Sequence, residues 1–297
     1  MVSLLFILAV SSTISLRADV SATRVEDSAI ENFFLLTANI LSGATPENEQ
    51  AFAELQKRGV KTIISVDGAK PDAESARKFG IRYVHLPIGY DGISTNRELE
   101  LIKAVQSLPK PIFVHCHHGK HRGPTAAAIL CMGAENWKST EALQWMKQAG
   151  TATNYSGLYR TVELFRVPGA TALRTVTSDF PEHAKVSTMV EAMVSMDERF
   201  EHLKAVKKAG YKKSESHPDV DPAHEALLLH ELFKELLRAP DAEQHTAGFL
   251  QELKVGEQTS GAFYTLMKGE TFHGADADAA FDKMTQNCAS CHRKFRN

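Results

Sequence analysis

A chain of 297 residues, 43% hydrophobic and 24% charged, has ordinary globular composition and enough length for two medium domains. Its formal net charge of -2, with acids and bases interspersed, offers no basic stripe for a phosphate backbone, which argues against a nucleic-acid partner. Four cysteines, one of them in a His-rich run and two others three positions apart, do not suggest a disulfide framework.

Met1 to Val10 is an apolar run, followed by a Ser/Thr stretch and Leu16-Arg17-Ala18. This pattern predicts an export signal over residues 1–18 and a periplasmic protein, and the run is too short to give a stable transmembrane segment. A buried or membrane-skimming first helix is the alternative, because no Lys or Arg precedes the apolar run.

Over residues 25–166 short β-type runs alternate with helical patterns. The strand candidates are Ile40-Leu-Ser, Val60 to Val66, Ile81 to Leu86 and Pro111 to His115. Pro46 to Arg58, ending at Gly59, and Pro71 to Phe79, ending at Gly80, carry helix start and stop signals. This order predicts an α/β domain, a mostly parallel sheet flanked by helices, with ligands expected where strands end.

Residues 167–180 contain Pro168-Gly169 and a Thr-rich stretch and are expected to be a linker. From 181 to 297 the periodicity becomes helical, with helices expected at about 182–208, 222–239, 241–268 and 275–296. Val186, Met189, Met193, Met196, Phe200 and Leu203 form an apolar stripe on the first of them, so an all-α four-helix bundle is predicted.

Two motifs carry chemistry. In the first, His115-Cys116-His117-His118-Gly119-Lys120-His121-Arg122-Gly123-Pro124 joins a predicted strand to a helix expected from Thr125 to Met132. A Cys and an Arg six positions apart can enclose a phosphate if the backbone between them curls its N–H groups inward at a helix N-terminus, and Gly119 permits the curl. Those amides, the helix dipole and Arg122 favour the thiolate form of Cys116, and Arg122 supplies a bidentate clamp for phosphoryl oxygens. His115, His117, His118 and His121 also have the donor chemistry of a metal site.

The run resembles the His-Cys-x5-Arg signature of cysteine-dependent phosphatases of the dual-specificity and atypical tyrosine phosphatase type. That resemblance implies phosphate monoester hydrolysis, with Cys116 attacking phosphorus, Arg122 binding phosphate, and the substrate contacted by His117, His118, Gly119, Lys120, His121 and Arg122. The leaving-group acid is expected to be Asp91, in the Gly-flanked loop after the third strand candidate, with Asp67 the second choice. Lys120 resembles the atypical members that act on inositol phosphates or other polyanions, so the expected partner is a phosphorylated protein or a small polyanionic phosphate. Gly123 departs from the family's Ser or Thr, whose hydroxyl assists thiolate departure; this implies slow turnover or a substitute in Thr125.

The second motif, Cys288-Ala-Ser-Cys291-His292, is the attachment pattern of haem c: Cys288 and Cys291 form thioether bonds and His292 ligates iron. Zinc would need a further ligand. Phe281, Met284, Cys288, Cys291 and Phe295 recur at steps of three and four, which places the motif on an apolar helix face, with haem expected inside the bundle. With Arg296 four residues beyond the His, this region resembles the class II cytochromes c of the cytochrome c-prime type. The resemblance implies covalent haem c, a distal position facing the first helix with Met193, then Met189, as candidate ligand, and a redox partner. The joint expectation is an exported phosphatase fused to a haem domain that senses redox state or gas. The rival is an electron-transfer or gas-binding cytochrome with a catalytically weak anion-binding module.

Overall fold

In the strands at the centre of the sheet, successive residues face opposite cores. The computed structural model describes residues 22–153, 155–177, 179–212, 220–239, 245–269 and 274–296; the export signal expected at 1–18 lies outside them. Six strands, β1 (Thr23–Arg24), β2 (Phe34–Leu35), β3 (Ile40–Gly43), β4 (Thr62–Ser65), β5 (Arg82–His85) and β6 (Ile112–His115), form one sheet in the order β1-β2-β3-β6-β4-β5. The four strands β3, β6, β4 and β5 are parallel, and β1 and β2 add antiparallel to the β3 edge. Ile40, Ile64, Val84, Ile112 and Val114 point into one core, and Leu41, Ile63, Tyr83 and Phe113 into the other. Near-continuous apolar strands are what a parallel sheet covered on both faces requires.

Helices α1 (Glu49–Lys57) and α2 (Ala73–Lys78) cover the second core, and α3 (Thr95–Ser107), α4 (Arg122–Ala134), α5 (Ser139–Gln148) and α6 (Ser156–Leu164) cover the first. Asn48, Asp72 and Ser94 cap α1, α2 and α3 by accepting from the backbone N–H three residues on. Helix α4 begins at Arg122, earlier than the Thr125 expected from Pro124, because proline is tolerated anywhere in a first turn whose N–H groups lack helical partners.

The stretch expected to be a linker, 167–180, is anchored to the first domain at several points, although most of its described residues are exposed. It contains α7 (Ala170–Arg174), the Lys103 ammonium donates to the Val176 carbonyl, and Val176 and Phe180 are buried. The Pro181 carbonyl then accepts from the His85 N–H at 2.8 Å, and the His85 Nδ1 accepts from the Ala184 N–H at 3.0 Å. The chain is thus tied to the end of β5 as it enters the C-terminal helices.

Those helices are α8 (Thr188–Lys208), α9 (Pro222–Arg238), α10 (Ala247–Met267) and α11 (Gly274–Phe295), and no strand occurs among the described residues beyond β6. All four contribute to one apolar core: Met196 and Leu203, Leu229 and Phe233, Leu253 and Phe263, Phe281 and Met284. Glu225 of α9 is buried in this half and accepts from Arg199 at 3.1 Å and pairs with His202 at 3.0 Å, both on α8. No described helix is long and apolar enough to cross a membrane.

Candidate active site

The Cys116 loop leaves the C-terminal end of β6 between its two parallel neighbours β3 and β4, where ligands of such sheets bind. Its carbonyls are held from outside. Thr45 N–H donates to His117 O at 3.0 Å, the Asn32 amide to Gly119 O at 2.9 Å, and the Thr151 hydroxyl to Lys120 O at 2.7 Å. With these three carbonyls tied down, the loop curls onto the start of α4, and a helix N-terminus favours an oxyanion. Gly119 takes φ +65°, and a Cβ there would lie 2.4 Å from the Gly43 backbone, so only glycine fits this curl. The clamps Asn32, Thr45 and Thr151 carry no motif and were invisible in the sequence.

Cys116 is buried at the floor. Arg122 is largely buried, and its enclosed Nε has no hydrogen-bond partner among the described residues. Its Nη2 donates to Asp67 Oδ2 at 2.7 Å, and the same oxygen accepts from the His117 N–H at 2.6 Å. Burial raises the Asp67 carboxyl, but Arg122 and the amides of Ala69 and His117 outweigh it and hold the group below the ordinary carboxylate range. Asp67, the second-choice acid, is therefore an ionised group that orients the arginine.

Asp91, the first-choice acid, is exposed, in the loop after β5. Its neighbour Tyr90 lies over the Arg122 guanidinium at 4.5 Å from the ring centre, which brings this loop to the mouth of the pocket. Its backbone packs so closely on Gly157 that a Cβ there would meet the Asp91 carbonyl at 2.0 Å.

Gly123 faces the nucleophile: a Cβ would stand 3.0 Å from the Cys116 N and 3.4 Å from its Sγ. Thr125, expected as a substitute hydroxyl, donates instead to the His121 carbonyl at 2.9 Å within the first turn of α4.

The histidines have separate duties. His115 is fully buried between the Tyr83 hydroxyl at 2.6 Å and the Thr45 hydroxyl at 3.2 Å, and burial pushes it down to about 4. It is a neutral structural group. His117 pairs through Nδ1 with Asp197 Oδ2 of α8 at 2.9 Å, which holds its imidazole above the usual value. His117 and His118 stack at 4.0 Å, and with Asp197 they are the group among the described residues whose spacing could hold a metal ion. Lys120 and His118 are exposed at the rim. His121 lies against Tyr155 at 4.4 Å; burial pushes it down to about 4, and Arg296, Arg122, His118 and Lys120 all push the same way.

The C-terminal helices reach this mouth. Besides Asp197, the guanidinium of Arg296 lies 3.7 Å from the centre of the Tyr90 ring, and its Nη1 is 3.3 Å from His292 Nδ1. In the Cys288-to-His292 motif, Cys291 is buried beside Glu252, while Cys288 and His292, half-buried, feel Asp197. Both thiols are free and are pushed up to about 11 by burial, and burial with Arg296 pushes His292 down to about 4. Two unpaired thiols and a neutral imidazole within two turns of one helix fit covalent haem attachment. Phe263, Phe281 and Met284 fill the core beneath the motif, and Met189 and Met193 are half-buried at its edge on α8.

No family model matches this chain. The dual specificity protein phosphatase TpbA of Pseudomonas aeruginosa strain UCBPP-PA14 is 28% identical over 122 residues, covering 40% of this chain and 55% of the relative. The N-terminal region is homologous to TpbA, and the chain spans about half the length of the curated relatives it matches. Among solved structures, P. aeruginosa TpbA aligns with 23% identity and a TM-score of 0.42 over 52% of this chain and 95% of that one. The core catalytic domain of a PP-IP phosphatase from S. cerevisiae aligns with 17% identity and a TM-score of 0.41 over 46% and 86%.

Proposed function

We propose that this protein hydrolyses phosphate monoesters through a phosphocysteine intermediate. The observation that carries the reading is Cys116 under a loop whose His117, Gly119 and Lys120 carbonyls are tied from outside, beside a largely buried Arg122 whose enclosed Nε has no partner among the described residues. The phosphoryl group binds the loop amides and Arg122; the Cys116 thiolate attacks phosphorus, and the ester P–O bond breaks as Asp91 gives the departing oxygen its proton. Water then attacks phosphorus, Asp91 takes its proton, the P–S bond breaks and phosphate leaves with the thiolate restored. Asp67 holds Arg122 in register throughout.

Cys288, Cys291 and His292 of α11 would hold a covalently attached haem c, with Met193 of α8 the candidate for a further ligand, and the protein would work in the periplasm with a redox partner. Bound haem supplies a centre that responds to redox state and diatomic gases. Cys116, an oxidisable thiol, is the group on which such a signal acts.

Purified full-length protein is expected to release phosphate from p-nitrophenyl phosphate, and Cys116→Ser to release none; equal rates would end the phosphatase reading. A pyridine haemochrome spectrum after expression with haem-maturation machinery is expected to show thioether-linked haem, and a colourless product would end the cytochrome reading.

A further inference from the structure

The Tyr90 ring at the pocket mouth is flanked by two arginines of different origin. Arg122 belongs to the phosphate loop and Arg296 to the last turn of the chain's last helix. Because the 4.5 Å and 3.7 Å separations are measured to the same ring centre, the two guanidinium carbons lie no farther apart than the two distances together. One small molecule can span that gap.

The nearest acids of the mouth are already engaged. Asp67 is bonded to Arg122 and the His117 amide, and Asp197 to the His117 ring. Glu47 and Glu201 act on His117 and His118. Among the described residues Arg296 has no carboxylate in ion-pair contact; it lies against the Tyr90 face and His292 Nδ1, and Asp197 acts on it only from beyond contact distance. Every charged group acting strongly on His121, between the two arginines and Lys120, is a cation or another histidine. A buried guanidinium nitrogen without a partner and a second guanidinium with no acid in contact, both among the described residues, make a site for two anions.

We infer that Arg296 is a substrate-binding residue of the phosphatase site, holding a second anionic group while Arg122 holds the scissile phosphate, so that the substrate class is a small bisphosphate. The inference rests on the phosphatase reading for the role of Arg122. The small-molecule source is favoured over an acidic phosphopeptide because α8 and α11 stand over the mouth: Asp197 bonds to His117, and a Cβ at Gly68 would meet Val190 at 2.4 Å.

Titration calorimetry on the haem-loaded full chain tests it without turnover, using ethylphosphonate and ethane-1,2-bisphosphonate. The bisphosphonate is expected to bind at least tenfold tighter than the monophosphonate. In Arg296→Ala and Arg296→Gln that advantage is expected to fall below threefold, with unchanged circular dichroism, while Arg293→Ala, the same charge change at an exposed neighbouring position, keeps it. Loss of the advantage in Arg293→Ala, or its persistence in both Arg296 variants, would overturn the inference. So would an Arg296 dependence seen with a phosphotyrosine peptide flanked by glutamates and absent with the bisphosphonate. A protein that binds both probes as expected yet never cleaves p-nitrophenyl phosphate fails the phosphatase reading alone.

Discussion

Asp67 illustrates how a single buried carboxylate sets the properties of a whole loop. Its folded pKa lies below that of an unfolded aspartate, near 3.9, so the stability it contributes is full above that value and is lost as pH falls through the folded pKa. Asp67→Asn leaves Arg122 buried without its counter-charge and is expected to cost about 3 kcal/mol at pH 7 by urea unfolding. The gap between wild type and variant should close as the pH is lowered past 4. A misplaced guanidinium should also lower kcat/KM for p-nitrophenyl phosphate about tenfold or more. Gly123 gives a second expectation at this scale. With no hydroxyl supplied by Gly123 beside Cys116 Sγ and the Thr125 proton engaged on a carbonyl, neither residue assists departure of the thiolate. Stopped-flow traces should then show a burst of p-nitrophenolate equal to the enzyme concentration before a slow steady state, and a linear trace from time zero would refute rate-limiting breakdown.

At the scale of elements, legibility followed apolar continuity. β3, β4, β5 and β6 are readable because each carries adjacent apolar residues that face opposite cores: Ile40-Leu41, Ile63-Ile64, Tyr83-Val84 and Ile112-Phe113-Val114. The two-residue strands β1 and β2 carry no period, and α5 and α6 were overlooked between the loop helix and the change of pattern at residue 181. α7 was hidden by Pro168-Gly169, which read as a break although the chain around it packs onto α3. In the helical half the four long periods coincide with α8 to α11, but α8 and α10 start only at Thr188 and Ala247, after the caps Ser187 and Thr246, and the stripe on α8 does not announce its link to α9 through Glu225, a polar residue that amphipathic patterning assigns to solvent. Removing that carboxylate takes the buried partner from His202 and leaves Arg199 to Glu198 at the surface. Glu225→Ala is expected to destabilise the helical half by about 3 kcal/mol in thermal unfolding followed at 222 nm; a change below about 0.5 kcal/mol would show that the pair is merely solvated.

For the molecule as a whole, the two chemical motifs were each legible in their own segment, whereas their meeting was not. Cys116 and Arg122 lie in one short run, but Tyr90, Asp197 and Arg296 reach the mouth only because residues 167–184 bind along β5 and α3 and aim α8 at the phosphate loop. No spacing rule encodes a contact made between separately packed cores. The pairing of His117 with Asp197 makes this docking sensitive to pH. Its imidazole is held above the unfolded value of about 6.5, so its contribution is full below that pH and is lost as pH rises through the folded value. In the full-length chain, the His117 ring resonance followed by NMR is expected to titrate above 6.5. In Asp197→Asn, where the hydrogen bond survives in part but the charge is gone, it should titrate measurably lower, with His115, buried between Tyr83 and Thr45, unmoved. Identical His117 midpoints in the two proteins would mean that α8 does not dock on the loop in solution, and Arg296 would then lose its place at the substrate as well.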